Sequence, residues 1–184
     1  MSKRIALLSA AAFGALALTA TLVAPVSAQE KTVMVGGAAM FPSKNIIQNA
    51  VHSKDHTTLV AAVKAAGLVE TLEGRGPFTV FAPTNTAFGK LPAGTVDTLV
   101  KPENKATLTK ILTYHVVPGK LEASSLTDGK KLKTVEGEEL TVKKSGDKVM
   151  IGDAKGGWST VTIANVNQSN GVIHVVDTVL MPAS

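Results

Sequence analysis

The residues with the clearest capacity for metal chemistry are two histidines that lie on either side of an aspartate in the segment HSKDH. Histidines four residues apart share one face of a helix, so His52 and His56 could bind a divalent metal ion together with Asp55. The same segment also resembles a helix start, because Ser53 and Asp55 are typical N-cap residues and Lys54 repels a cation. The helix start is the favoured interpretation, and we predict no metal site.

The motifs of the common enzyme classes are absent from the sequence. It contains no Gly-x-Ser-x-Gly nucleophile elbow, no His-Glu-x-x-His zinc motif and no glycine loop of the phosphate-binding or dinucleotide-binding type. The chain has no cysteine, which excludes thiol catalysis, cysteine-ligated zinc and iron–sulfur clusters. We therefore predict a protein that is not an enzyme and carries no cofactor.

The first 28 residues have the pattern of a secretory signal peptide. Lys3 and Arg4 precede a long uncharged apolar stretch, and the segment VSA at 26–28 offers a small-x-small cleavage site. We predict cleavage before Gln29 and a mature chain that is exported, either periplasmic or extracellular, without a membrane span.

The mature chain has the size of one domain, since removing 28 of the 184 residues leaves 156. Without Lys3 and Arg4 the formal net charge of +5 falls to +3, and a single Trp and a single Tyr indicate no nucleic-acid partner. Residues 29–42 show no clear periodicity. We predict a flexible N-terminal arm over these residues and a single domain over residues 43–184.

Helical patterns dominate the first half of the domain, and strand patterns dominate the second half. Apolar residues recur on one helix face from Leu59 to Ala66, and Gly67 is placed to end that helix. The second half alternates β-branched runs with glycine turns, and Asn170-Gly171 predicts a type I′ turn. This segregation predicts an α+β domain.

Three segments resemble the signature blocks of the fasciclin domain family. They are GPFTVFAPTNTAF at 76–88, LTYHVVPG at 112–119 and NGVIHVVDTVLMP at 170–182. The chain is therefore similar to a bacterial secreted single-domain fasciclin-like protein over residues 43–182. The resemblance implies a wedge of two mainly antiparallel β-sheets, flanked by short α-helices from the N-terminal half, in an extracellular or cell-surface protein.

Four residues of these blocks are predicted to have structural roles. Thr84 and Asn85 follow a strand and are suited to cap a helix. His174 and Asp177 lie in a segment that is apolar on both faces, which predicts a central strand. A buried Asp177 needs hydrogen-bond donors, for which backbone N–H groups and the side chains of Thr84, Asn85 and Thr86 are the candidates.

The Tyr-His pair has two interpretations. In animal relatives of the family the region around this motif is linked to receptor engagement, so the resemblance assigns partner binding to Tyr114 and His115. The adjacent Val116 and Val117 favour a packed and hydrogen-bonded strand instead.

The leading functional interpretation is an exported module for cell adhesion or matrix contact that binds a protein or a glycan. The alternative is a carrier of an apolar ligand such as a carotenoid or a lipid, held in a cleft between helices and sheet. Met34, Met40 and Phe41 in the arm either contact such a ligand or form a hydrophobic strap docked on the domain.

Overall fold

The computed structural model describes residues 30–183, so the predicted signal peptide and its cleavage site lie outside the described residues. The α-helices are α1 (Ile46–Ala50), α2 (Thr57–Ala66), α3 (Val69–Glu73), α4 (Asn85–Gly89), α5 (Thr95–Leu99) and α6 (Lys105–Tyr114). Short 3-10 helices cover Lys54–His56, Pro102–Asn104 and Ala123–Ser125. The strands are β1 (Val33–Val35), β2 (Ala38–Met40), β3 (Phe78–Pro83), β4 (Val116–Pro118), β5 (Lys131–Lys133), β6 (Glu139–Ser145), β7 (Lys148–Gly152), β8 (Trp158–Gln168) and β9 (Gly171–Val176).

Seven of the strands pair in the continuous order β4-β3-β9-β8-β7-β6-β5. Strand β8 has 11 residues, and it pairs with β7 through its first part and with β9 through the remainder. The two predicted sheets are therefore two halves that share β8. Only β3 and β9 pair in parallel among these strands, so the sheets are mainly antiparallel and the α+β prediction is confirmed.

A bulge separates the two halves of the sheet. The pairing of β8 with β9 shifts in register between Val161 and Val166. Asn165 lies within this shift and has a φ of 57°, a left-handed conformation that asparagine tolerates better than most residues. Because a bulge bends a strand and increases its twist, β8 can enter both halves.

Strands β3 and β9 lie between two hydrophobic cores. The side chains of β3 alternate, so that Val80 and Ala82 join the core under the helices while Phe81 joins the core of the β5–β8 half. All six residues of β9 are buried and β9 pairs with a strand on each side, which confirms the predicted central strand. The family blocks therefore form the boundary between the two cores.

Residues 33–40, within the predicted flexible arm, form a β-hairpin. Val35 and Met40 point into the core and are only 4% and 3% exposed, whereas Met34 on the opposite face is 59% exposed. Lys54 N–H donates to the Gly36 carbonyl and fixes the turn of the hairpin to the rest of the domain. The hairpin is thus the docked hydrophobic strap. Its strands are not evident from the sequence, because they are short and contain small residues.

The helix predicted to end at Gly67 does so, because Gly67 has a φ of 73° at the C-terminus of α2. Its start differs from the prediction, since neither Ser53 nor Asp55 caps α2. The Ser53 hydroxyl instead forms a hydrogen bond of 2.9 Å with Nδ1 of His56. A tertiary partner, Asn85 of α4, caps this helix.

The turn between β8 and β9 consists of Ser169 and Asn170, so the predicted type I′ turn at Asn170-Gly171 is wrong. The side chain of Asn170 forms tertiary hydrogen bonds. Its Nδ2 donates to the carbonyl oxygens of Leu72 and Gly74, and its Oδ1 accepts from Ile46 N–H at 3.1 Å. Asn170 thereby joins the start of α1 and the end of α3 to the sheet.

Candidate functional site

Tyr114 is the last residue of α6, and His115 follows it before β4 begins. Their exposed fractions are 0% and 2%, so neither side chain can contact a partner directly in this fold. The interpretation of this pair as a contact surface is not supported by its burial. The strand favoured by Val116 and Val117 is β4, and it does not include Tyr114, because helix α6 continues through Tyr114.

The His115 ring connects α6 to the C-terminal segment. Its Nδ1 lies 2.8 Å from the Ile111 carbonyl oxygen, and its Nε2 accepts from Leu180 N–H at 2.9 Å. Because Nε2 is an acceptor, the ring is neutral with its proton on Nδ1. Burial lowers the pKa of His115 to about 4, against the smaller raising effect of the Ile111 carbonyl.

The Tyr114 hydroxyl joins α6 to the β5–β8 half of the sheet. It accepts from Ala154 N–H at 2.9 Å and donates to the Glu139 carbonyl oxygen at 3.3 Å. Burial raises the pKa of Tyr114, so its hydroxyl stays protonated near neutral pH. The family's Tyr-His pair is therefore a structural link between a helix, a sheet and the chain's C-terminal segment.

His174 is fully buried in β9 and has the opposite tautomer. Its Nε2 donates to the Leu121 carbonyl oxygen at 2.6 Å, and its Nδ1 accepts from Asn165 N–H at 3.3 Å. The ring stacks on Phe81 with a centroid distance of 5.7 Å. Burial lowers the pKa of His174, with a smaller opposing effect from the Leu121 carbonyl. Its assigned structural role agrees with these contacts.

Thr84 and Asn85 are helix caps, as the sequence predicts. The Thr84 hydroxyl accepts from Ala87 N–H at 3.2 Å at the start of α4. Asn85 Oδ1 accepts from Thr58 N–H at 3.0 Å in α2, and Asn85 Nδ2 donates to the Lys54 carbonyl oxygen at 2.8 Å. One short block therefore satisfies one free N–H group at the start of each of two helices.

Asp177 lies just beyond β9, and its side chain is 39% exposed rather than buried. Its Oδ1 accepts from Thr160 N–H at 2.8 Å and from the Thr178 hydroxyl at 3.1 Å. Of the predicted donors, a backbone N–H group is found at Thr160 of β8, whereas the described bonds to Asp177 come from none of the side chains of Thr84, Asn85 and Thr86. Partial burial raises the pKa of Asp177, but the Thr160, Thr178 and Lys90 interactions outweigh it and lower the pKa.

The two histidines of the HSKDH segment lie in different environments. His52 is exposed, whereas His56 is buried under the hairpin and bonded to Ser53. Within residues 30–183, no group of three histidine, aspartate or glutamate side chains is arranged to hold a metal ion. Burial lowers the pKa of His56, although the nearby Ala82 backbone partly opposes this, and its Nε2 has no hydrogen-bond partner.

A small apolar cavity of about 40 Å³ lies between the hairpin, α1, α2 and the sheet. Its wall is almost entirely aliphatic, apart from Ser53, His56 and His115. A cavity of this volume holds about one water molecule, which is far smaller than a carotenoid or a lipid. The buried hairpin residues Val35 and Met40 form part of its wall, so a larger apolar ligand would require the surrounding side chains to move apart.

The sequence interpretation assigned no role to Trp158, whose side chain is 46% exposed on the outer face of the β5–β8 half. It is the only tryptophan of the chain, and Lys143 lies with its Nζ 5.6 Å from the centroid of the ring. Its surroundings depend on the strand register, in which Trp158 pairs with Gly152 across β7 and β8. The spacing of residues along the sequence does not reveal that register.

Comparisons with known proteins give a consistent result. The model of the Fasciclin domain matches residues 54–182, a range that begins after the hairpin and α1. Protein sll1483 of Synechocystis sp. is 49% identical over 168 residues, which cover 91% of this chain and 90% of that protein.

Two further matches extend this comparison. Cell surface glycolipoprotein MPB83 of Mycobacterium bovis is 44% identical over 115 residues, covering 62% of this chain but only 48% of that protein. The structure of a FAS1 domain pair from the insect cell adhesion molecule Fasciclin I has a TM-score of 0.68 at 17% identity. It covers 77% of this chain and 52% of that one, and it shows the similarity of fold. Over residues 30–183, none of the helices is both long and apolar enough to cross a bilayer.

Proposed function

This chain belongs to the fasciclin domain family, and on that premise we propose that it is an exported, non-enzymatic module for cell adhesion or surface contact. Its partner is a protein or a glycan at a cell surface or in a matrix. The family match over residues 54–182 carries this proposal.

The geometry of the family blocks supports a role in contact rather than catalysis. His115 and His174 are neutral, buried and bonded through both ring nitrogens, so neither offers a free nitrogen to a substrate. Thr84 and Asn85 are used as helix caps. Because these side chains build the fold, we expect the contacts with a partner to come from other, exposed residues.

The similar proteins support the location. MPB83 is named a cell surface glycolipoprotein, and the solved structure comes from a cell adhesion molecule. The apolar-ligand alternative is not favoured, because the apolar cavity of about 40 Å³ is too small for a carotenoid or a lipid.

Attachment of the purified mature chain to surfaces tests this proposal. Latex beads coated with residues 29–184 are mixed with cells of the producing bacterium, and bound beads are counted against beads coated with albumin. We expect the coated beads to attach and soluble protein to compete with them. Attachment equal to that of albumin beads would disprove the proposed function.

A further inference from the structure

The outer face of the β5–β8 half presents one aromatic side chain among lysines. Antiparallel partners share a face, so the register places Trp158, Gly152, Thr141 and Lys131 in one row across the four strands. The next row contains Thr160, Met150 and Lys143. We call this set of outward residues the Trp158 face.

The opposite side of these strands forms the second core. Leu132, Leu140, Val142, Val149 and Ile151 all belong to it. Side chains on the Trp158 face are exposed or partly exposed, apart from the glycine beneath the indole. The sheet is therefore covered on one side only.

Gly152 provides a seat for the indole ring. A Cβ atom at this position would lie 2.9 Å from two atoms of the Trp158 ring, so the ring rests directly on the glycine backbone. Gly152 is buried by this contact, yet 46% of Trp158 stays exposed. A large apolar ring held flat against a sheet with one side in water is typical of a binding platform.

The charges around the ring are mainly positive. Lys131, Lys133, Lys143 and Lys148 all lie on outward, exposed positions of β5, β6 and β7. Glu139 contributes a carboxylate at an outward position of these strands, and its Oε2 lies 3.4 Å from Lys131 Nζ. Rows on a strand are roughly 7 Å apart, so Lys148 lies about 14 Å along the face from the row of Trp158. This face is long enough for a short chain of sugars.

We propose that the Trp158 face binds an acidic polysaccharide, that is, a glycan whose pyranose rings carry carboxylates. The apolar C–H side of a pyranose stacks on an exposed indole, and lysines beside the ring pair with the carboxylates. This inference rests on the proposed function, for which it supplies a partner class and a site. A single aromatic platform fits a sugar chain better than single-stranded nucleic acid, whose binding sites stack successive bases on several aromatic residues.

Trp158 itself provides the measurement, because no other tryptophan contributes to the fluorescence. A galacturonic acid hexamer is titrated into residues 29–184, with maltohexaose as the neutral sugar and a dT hexamer as the nucleic-acid probe. We expect the acidic hexamer to change the emission and protect the indole from iodide. Raising the salt from about 0.05 to about 0.5 M should weaken binding.

Substitutions at three positions locate the site. Trp158→Ala should lower the affinity at least about tenfold in calorimetry, whereas Trp158→Phe should retain part of it. Gly152→Ala keeps the indole but lifts it from its seat, so it should also weaken binding. Lys143→Gln should weaken binding, and Lys64→Gln on the exposed side of α2 is the matched control that should not.

Several results would overturn the proposal: no binding of the acidic hexamer, binding without a change in emission, an unchanged affinity in Trp158→Ala, or tighter binding of the dT hexamer. Bead attachment separates this failure from failure of the proposed function. If wild-type and Trp158→Ala beads attach equally, the site is wrong and the adhesion role stands. If wild-type beads do not attach at all, the adhesion role itself fails.

Discussion

The Nε2 atom of His115 accepts a hydrogen bond of 2.9 Å from the backbone N–H of Leu180, across 65 residues of sequence. Both residues are buried, with exposed fractions of 2% and 1%. The bond requires a neutral ring, because a protonated imidazole has no lone pair to accept with. The attachment of the C-terminal segment to α6 therefore depends on the protonation state of one histidine.

Stability should fall as the pH falls from 6.5 towards 4. The pKa of His115 is about 4 in the fold, below its ordinary 6.5, so the unfolded chain binds more protons over that interval. For His115 alone the loss is about 3 kcal/mol over the whole interval, of which about 2 kcal/mol has occurred at pH 5. His56 and His174 have pKa values lowered in the same direction. Urea unfolding at pH 7.5 and pH 5 measures this loss.

Substitution separates His115 from the other histidines. His115→Ala should be less stable than the wild type at pH 7.5. It should lose less stability on acidification, because it lacks a histidine that binds a proton more tightly in the unfolded chain. His52→Ala removes an exposed histidine and should follow the wild type at both pH values. An unchanged pH dependence in His115→Ala would show that its protonation is not coupled to folding.

Tyr114→Phe tests whether the Tyr-His motif is structural or a contact. The substitution leaves Ala154 N–H without its acceptor and removes the bond to the Glu139 carbonyl. We expect the free energy of unfolding to fall by about 1–2 kcal/mol while bead attachment at 25 °C stays at the wild-type level. Loss of attachment without loss of stability would show that Tyr114 takes part in contact with the partner.

Asn170→Ala should be among the more damaging polar substitutions in the described part of the chain. It removes three hydrogen bonds and leaves Ile46 N–H and the Leu72 carbonyl without their partner, whereas the Gly74 carbonyl keeps its bond from Gly76 N–H. We expect a loss of about 2–3 kcal/mol in thermal or urea unfolding. Asn167→Ala is the control, because Asn167 Nδ2 makes only a long bond of 3.4 Å to the Asn165 carbonyl. Equal losses in the two variants would contradict the bridging role of Asn170.

Local patterns predicted the parts of the fold that local physics determines. The end of α2 at Gly67, the cap at Thr84 and the buried strand β9 depend on residues next to each other in sequence. The α+β class followed from the separation of helical and strand patterns. Such features carry their signal in propensity and periodicity.

Tertiary partners decided the features that the sequence did not predict. Asn170 resembles a turn residue until α1 and α3 lie beside it, and Asp177 finds its donor on Thr160 of a neighbouring strand. The seat of Trp158 on Gly152 exists only in the β7–β8 register. These contacts join residues whose pairing no single-sequence pattern encodes.

The hairpin gives the sharpest test of how far the domain extends beyond the family match, which begins at residue 54. Met40→Ala removes a side chain that is 3% exposed in the main core and should lower the free energy of unfolding by about 2–4 kcal/mol. Met34→Ala is the matched control on the outward face of the same hairpin, where 59% exposure predicts a change of less than about 0.5 kcal/mol. Urea unfolding of both variants measures the difference. Equal and small effects would mean that the hairpin is not packed on the core in solution. The cavity beneath it would then be accessible to apolar ligands.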